Sequence, residues 1–377
     1  MLLACGVALA LPSQTPDQTP MVNGTVRAIE QVGTNIWLGG KFTQVKQHNG
    51  TVVDNVSNLA VFDSETGEYI DIALPKLGDT GAEVWDMTVY GTGPDADVLI
   101  AGKFSSGSSS TQKNLVRVDG ATGKLQQWYN APSLKSILAA PDLGRIYGGG
   151  VSLSAFELGG TKVWSSPKAK TTVDSTRYPN APSPGYRDLE LEGQTIWAAC
   201  ACDAVDGQAA KALVNLSKEG DLLAWRAEAD PASWGMSVVE ANGALYLGTG
   251  GSDYLAKYDK TAEGTRSWVR DTSGSVQVVE VMDGQLVIGG HFWKVADDPN
   301  DPCGHGRSTE LDPDNKCQTR KGIAAYSFSG DLDPWSPTYA GKYSLVWALH
   351  VEGARLHTGG EFLTVNGVTQ NYYARLS

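Results

Sequence analysis

Five carboxylates punctuate the short apolar runs that recur along this chain: Glu30, Asp86, Asp188, Glu190 and Glu280. Carboxylates gathered at a common centre can do general acid and base work on a glycosidic bond. Buried charges need partners, and Arg27 and Arg187 lie close enough in sequence to two of these acids to serve. Trp85 and Trp347 open two of the runs and Trp234 stands just before a third. Indole faces at such positions are candidates for stacking on a ligand ring. His291 directly follows a Gly-Gly pair and could act as a base or a ligand contact. The ligand-binding candidates are thus Trp85, Asp86, Arg187, Asp188, Trp234, His291 and Trp347. Asp312, Asp314 and Asn315 lie in the polar stretch 297–317 and are hard oxygen ligands suited to Ca²⁺. That stretch lacks EF-hand spacing, so calcium is a possible ion and no other cofactor is expected. The chain carries no H-E-x-x-H, no G-x-S-x-G elbow and no phosphate-cradling loop, and no catalytic residue is assigned.

The elements that must position these residues repeat seven times. An apolar strand, a tight turn and a second strand ending in small residues recur at 26–42, 84–104, 137–151, 186–202, 237–251, 276–292 and 346–362. Six copies keep one spacing: Ala28 to Gly39, Ile137 to Gly148, Asp188 to Ala199, Ser237 to Gly248, Val278 to Gly289 and Ala348 to Gly359. The next column is always apolar: Ile29, Met87, Leu138, Leu189, Val238, Val279 and Leu349. A constant spacing with a constant buried column is what hairpins in equivalent environments require. Each copy but the last is followed by a further strand, a glycine-containing turn and a strand that usually ends in Trp.

Four strands to a unit of about 50 residues predict an all-β protein, a seven-bladed β-propeller of four-stranded antiparallel blades. The seventh unit stops after its third strand. Its fourth is expected from the N-terminal segment around 11–21, which removes an open sheet edge. Trp128, Trp164, Trp225, Trp268 and Trp335 hold one equivalent position, so they are expected to wedge between neighbouring units. Gly40, Gly102, Gly149, Gly290 and Gly360 are expected to mark close packing rather than a nucleotide cradle.

Charge and cysteines bound the setting. Net charge is -12, with acids spread evenly and no basic stripe, which excludes nucleic acid as the expected partner. Residues 1–10 read as the remnant of a signal peptide, with an A-x-A site at Ala8-Leu9-Ala10 favoured over lipidation at Cys5. Residues 11–377 then form one domain. The apolar start is too short to span a bilayer. The protein is expected to be secreted or held at the cell surface, as a monomer. Cys303 and Cys317 bracket the polar stretch and are expected to form a disulfide. Cys200 and Cys202 are expected chiefly as reduced core residues, with a local disulfide or a metal pair as alternatives.

The second halves resemble the tryptophan-docking repeat of quinoprotein propellers. The match is clearest in Asp119-Gly120-Ala121-Thr122-Gly123 with Trp128, and partial in Asp63-Ser64-Glu65-Thr66-Gly67. The first halves, with Gly39-Gly40-Lys41-Phe42, Gly289-Gly290-His291-Phe292 and Gly359-Gly360-Glu361-Phe362, resemble the delta-60-type repeats of exported actinobacterial proteins. The resemblance implies a propeller and little about chemistry. A quinone-dependent oxidoreductase of that kind would carry eight units and an adjacent Cys-Cys pair, and this chain has neither.

Long connections fall between second and third strands, or between one unit and the next, at 44–58, 105–113, 165–185, 293–321 and 365–371. Both kinds emerge on one side of a propeller, and such insertions mark a binding side. The leading expectation is a non-catalytic protein that binds a protein or carbohydrate there. A glycan hydrolase or lyase using the first-strand carboxylates comes second, and the quinone enzyme third.

Overall fold

A computed structural model describes residues 11–377 apart from 108–110, 165–167, 180, 262–263, 299–302, 304–316 and 342. Among the described residues the chain is all-β, its sheets are antiparallel, and its single helical turn is a 3₁₀ segment at Pro141–Leu143. Each of the seven hairpins expected from the sequence is present. The first strands are Val26–Val32, Gly78–Tyr90, Ser136–Ala140, Gly185–Glu192, Trp234–Ala241, Val276–Met282 and Val346–Glu352. Each pairs with the strand that follows it, and that strand pairs with the third strand of its unit. Units two, four and five complete a four-stranded sheet. Units one, three and six add their fourth segment through the bridges Phe62–Tyr69, Phe156–Lys162 and Tyr326–Leu332.

The turns follow from residue type. Asn242-Gly243 and Asp283-Gly284 both take positive φ at the two central positions, the geometry that suits a two-residue hairpin. In the fourth and seventh units the turn falls one residue later than the sequence suggested, at 193–194 and 353–354, because Glu192 and Glu352 still pair across the hairpin. The D-x-x-T-G segments are turn devices. The Asp119 carboxylate accepts from Thr122 N–H at 2.8 Å and Thr122 Oγ1–H at 2.6 Å. Asp63 does the same for Glu65 and Thr66.

Successive units touch where the sequence is smallest. A side chain at the first of the two strand-end positions would run into the next unit: Gly39 into Val84 at 2.6 Å, Gly248 into Val276 at 2.6 Å and Gly289 into Val346 at 2.7 Å. Gly359, in the seventh unit, would meet Val26 of the first at 2.5 Å. The second glycine faces its own unit. A Cβ at Gly40, Gly102, Gly290 or Gly360 would overlap the carbonyl oxygen of Thr25, Glu83, Ser275 or Leu345, and one at Gly149 would overlap Ser136 Oγ. First strands pack in succession from unit one to unit seven, and Val346–Glu352 packs in turn on Val26–Val32.

Most of the repeated tryptophans bridge units. Trp225 stacks edge-on against Tyr258 of the fifth unit, and its Nε1–H donates to Asp259 O. Trp268 donates to Phe328 O of the sixth unit at 3.2 Å. Trp164 packs in a cluster with Leu216 of the fourth unit. Trp128 instead lies against Phe104 of its own unit. Trp335, nearly fully buried, donates to Pro12 O at 2.8 Å.

That last contact ties the N-terminal segment to the sixth unit, and the same segment meets the C-terminal strand. Pro16 bridges Leu376, Ser13 N–H donates to Ser377 O at 3.0 Å, and Asp17 N–H donates to Arg375 O at 2.8 Å. The segment beginning at residue 11 therefore lies along the third strand of unit seven, where the fourth strand was missing. Arg375 Nε holds the Asp17 carboxylate at 2.6 Å.

Cys303 and Cys317 form the expected disulfide, and Cys317–Thr319 pairs with Lys294–Ala296 across the same insertion. Cys200 and Cys202 are fully buried, as a core reading requires, but they are bonded to each other rather than reduced. Residues 1–10, including Cys5, lie outside the described residues, as do Asp312, Asp314 and Asn315.

Two outcomes test this packing. Gly360→Ala is expected to lose about 2–4 kcal/mol in denaturant unfolding, because backbone rather than a flexible side chain must yield. Gly159→Ala, with open space around it, is expected to stay within about 0.5 kcal/mol. Deleting residues 11–19 is expected to lower the melting temperature by more than about 5 °C and to cause concentration-dependent association, because it uncovers the third strand of unit seven.

Candidate functional site

Six first strands carry a β-bulge at one equivalent place. Register shifts fall between Val26 and Ala28, Val84 and Asp86, Tyr186 and Asp188, Gly235 and Ser237, Val276 and Val278, and Val346 and Ala348. A bulge leaves one residue unpaired and re-aims its side chain. The unpaired residues are Arg27, Trp85, Arg187, Met236, Gln277 and Trp347, and all six line one cavity of about 830 Å³ between the seven first strands. The third unit has no bulge and contributes Lys135, just before its first strand.

These residues form the mouth of the cavity. They stand at the beginnings of the first strands, the ends joined to the inter-unit connections. The insertions gather on that same side. Tyr339–Ala340, in the connection leading to unit seven, pairs with Thr364–Val365 in that unit's own insertion. Met21–Val22 pairs with Gln44–Lys46, and Thr171–Thr172 with Ala204–Val205, in the same manner.

The mouth is cationic and aromatic. Arg27 lies 4.3 Å from the Trp347 ring and is paired with Glu83. Lys135 lies 5.2 Å from the Trp85 ring. Burial, then Arg187 and Arg27, lowers the Lys135 ammonium to about 8. Burial and Arg27 lower Arg187 to about 10. Arg187 donates to Ser183 O at 2.9 Å, while its Nε is buried with no partner among the described residues. Gln277 donates to Ser275 Oγ at 2.7 Å, and its buried Oε1 likewise has none.

Below the mouth lies a carboxyl layer. The expectation that Arg27 and Arg187 would pair the buried acids does not hold. Asp86 accepts instead from Met87 N–H and Ile137 N–H, both at 2.8 Å. Asp188 accepts from Leu189 N–H, Val238 N–H and Ser237 Oγ–H at 2.8–2.9 Å. Each aspartate thus reaches the backbone of the next unit, so it ties units together although it lines the cavity.

Glu30, Glu190 and Glu280 occupy the register two residues further on, which His350 shares in unit seven. Burial pushes Glu190 up to about 8, with Asp188, Glu240, Glu280 and Glu192 adding to the rise. Burial pushes Glu280 to about 7 against a hydrogen bond from Val281 N–H. Glu30 is raised by burial, Asp86 and Glu280. Burial in the cavity wall strips part of their hydration, so the charged forms are disfavoured.

Trp234 and His291 do not line this cavity. Trp234 is buried beneath Lys211, whose Nζ sits 3.7 Å from its ring, and against Tyr178. The His291 N–H donates to Ser275 O at the strand end. Lys135, Gln277, Met236 and Glu83 were not singled out from the sequence. The signal for Met236 and Gln277 was the column just before the spacing's first member, which reads Arg27, Trp85, Ser136, Arg187, Met236, Gln277 and Trp347; Lys135 and Glu83 fall outside it. Among the described residues no group of three or more His, Cys, Asp or Glu side chains could hold a metal. Among them, too, no helix is long and apolar enough to cross a membrane.

The chain matches no family model, and no curated protein is significantly similar to it. Solved structures share its fold at low identity. A computationally designed protein, Ika8, is 12% identical with a TM-score of 0.52, over 96% of this chain and 99% of its own. The extracellular domain of a putative one-component system from B. thetaiotaomicron is 11% identical with a TM-score of 0.53, over 96% of this chain. The chain spans 40% of that protein's length. The two disulfides are consistent with an oxidising, extracellular location.

The carboxyl layer gives stability a pH dependence of known sign. Glu190 and Glu280 titrate above their unfolded values near 4.3, so the folded protein holds protons that the unfolded chain has lost. Stability therefore falls as pH rises toward about 8. His350, lowered to about 4 by burial and by His357, works the other way below its unfolded value near 6.5. Between pH 6.5 and 7.5 the carboxyl effect stands clear of His350 and of Lys135, which is lowered to about 8 and acts the other way above that window. The melting temperature is expected to fall across that window, and Glu190→Gln is expected to flatten the slope.

Proposed function

We propose that this chain is a seven-bladed β-propeller, secreted or held at the cell surface, that binds a glycan as a monomer without transforming it. The propeller reading is supported by the succession of first-strand contacts, which returns from unit seven to unit one, and by the N-terminal segment lying on the last unit. Binding sits at the mouth of the central cavity, on the side carrying the insertions. One observation carries this: the bulges of six units turn six side chains, two of them tryptophans, into a single opening.

A recess of about 830 Å³ suits a sugar ring or two better than the convex surface of a protein. Indole faces stack on sugar rings, and guanidinium, ammonium and amide groups bond their oxygens. A non-catalytic role is favoured because Asp86 and Asp188 already accept hydrogen bonds from neighbouring units, and the raised glutamates lie below the mouth. The resemblance to exported repeat proteins points the same way. Asp312, Asp314 and Asn315 remain candidates for a calcium ion in the insertion.

Glycan-array binding followed by product analysis tests the proposal. Trp85→Ala and Trp347→Ala are each expected to weaken the bound glycan by about tenfold, and no cleaved product is expected. Release of shortened sugars that Glu190→Gln abolishes would favour a hydrolase or lyase instead.

A further inference from the structure

If a glycan binds at the mouth, the residues there also select its class. We infer, resting on that glycan-binding reading, that the ligand is an acidic glycan, and that a uronate carboxylate on it is held between Lys135 and Arg187 with the sugar ring against Trp85 and Trp347.

Uncompensated charge is the first ground. Acids outnumber bases by 42 to 30 in this chain. Even so, Lys135 and Arg187 face the cavity with no ion pair among the described residues, while Arg27 beside them is matched by Glu83. Burial lowers the proton affinity of both, with Arg187 and Arg27 adding to the effect on Lys135 and Arg27 to that on Arg187. Cations crowded in a half-buried site are stabilised by an anion placed among them.

Unmade hydrogen bonds are the second. Arg187 Nε is a buried donor and Gln277 Oε1 a buried acceptor, and neither has a partner among the described residues. Buried polar groups are seldom left so. A carboxylate accepts from the first, in the planar geometry a guanidinium favours. A sugar hydroxyl donates to the second. Hydroxyls alone can satisfy the pair, and a uronate does so while also bringing the charge that the cations lack.

The layer beneath does not oppose an anion. Burial raises Glu190 to about 8 and Glu280 to about 7, so that level of the cavity carries less negative charge at neutral pH than ordinary carboxylates would. A carboxylate entering from the mouth meets cations first and carboxyls of reduced charge behind them.

The full chain is to be probed on an array carrying uronate-bearing, sulfated and neutral glycans, and then titrated with the tightest binder. Binding is expected on uronate-bearing glycans alone, weakening several-fold between 50 and 300 mM salt, as an exposed ion pair does. Arg187→Gln and Lys135→Met are each expected to lower affinity at least tenfold while leaving the melting temperature unchanged or raised, since each relieves repulsion. Equal binding of neutral glycans would overturn the acidic class and leave the glycan reading standing. Binding of sulfated glycans alone would overturn the carboxylate. No binding on any class would overturn both readings. Variants that lose stability as they lose binding would show the cations to be structural, and would overturn the inference as well.

Discussion

Backbone approaching backbone without a side chain between is the constraint on which this molecule depends. At the end of each second strand stands a small residue, and in four units a glycine pair spans the two critical positions. In units one, six and seven one glycine lets the first-strand carbonyl of its own unit come close, and the other lets the neighbouring unit's valine seat against it. Any Cβ there would push a sheet outward or a neighbour away. The Val26 contact on Gly359 is the same contact made between the chain's last unit and its first. Tryptophans toward the outside of the units add area and hydrogen bonds between neighbours, as Trp225, Trp268 and Trp335 illustrate.

The bulges turn that packing into a site. Without them a first strand would present alternate residues to the cavity in an unbroken ladder. With them, an unpaired residue is added at the mouth of six units, free of the ladder's constraint on side-chain type. The result is two levels of opposite chemistry. The upper holds Arg27, Lys135, Arg187 and two indoles. The lower holds carboxyls that burial keeps protonated well above their ordinary range. Asp86 and Asp188 stand between, and they are hydrogen-bonded to the backbone of the next unit rather than offered to a ligand.

Much of the fold was legible in the residues. Hairpins announce themselves by alternation, turn glycines and a fixed interval, and all seven are present at the expected places. The N-terminal segment was placed against the last unit because a missing strand leaves an edge. Less of the site was legible. Trp85, Asp86, Arg187, Asp188 and Trp347 line the cavity as expected. Trp234 does not, because it precedes the bulge and turns under Lys211. Cys200 and Cys202 were expected reduced, since residues two apart on a strand lie on one face without having to meet. They are bonded.

The sequence alone determined the number of units, the strand order within each, the close-packing glycines and the turn chemistry of D-x-x-T-G. All of these rest on interactions between residues near in the chain or equivalent in the repeat. Only the tertiary structure decided which column faces the cavity, because a single unpaired residue shifts every later side chain to the other face. It alone brought Lys135 and Arg187, 52 positions apart in the chain, to one cavity, and left Arg187 Nε and Gln277 Oε1 without partners among the described residues. Charge and hydrogen bonding across units depend on distances in space, and sequence spacing carries no record of them.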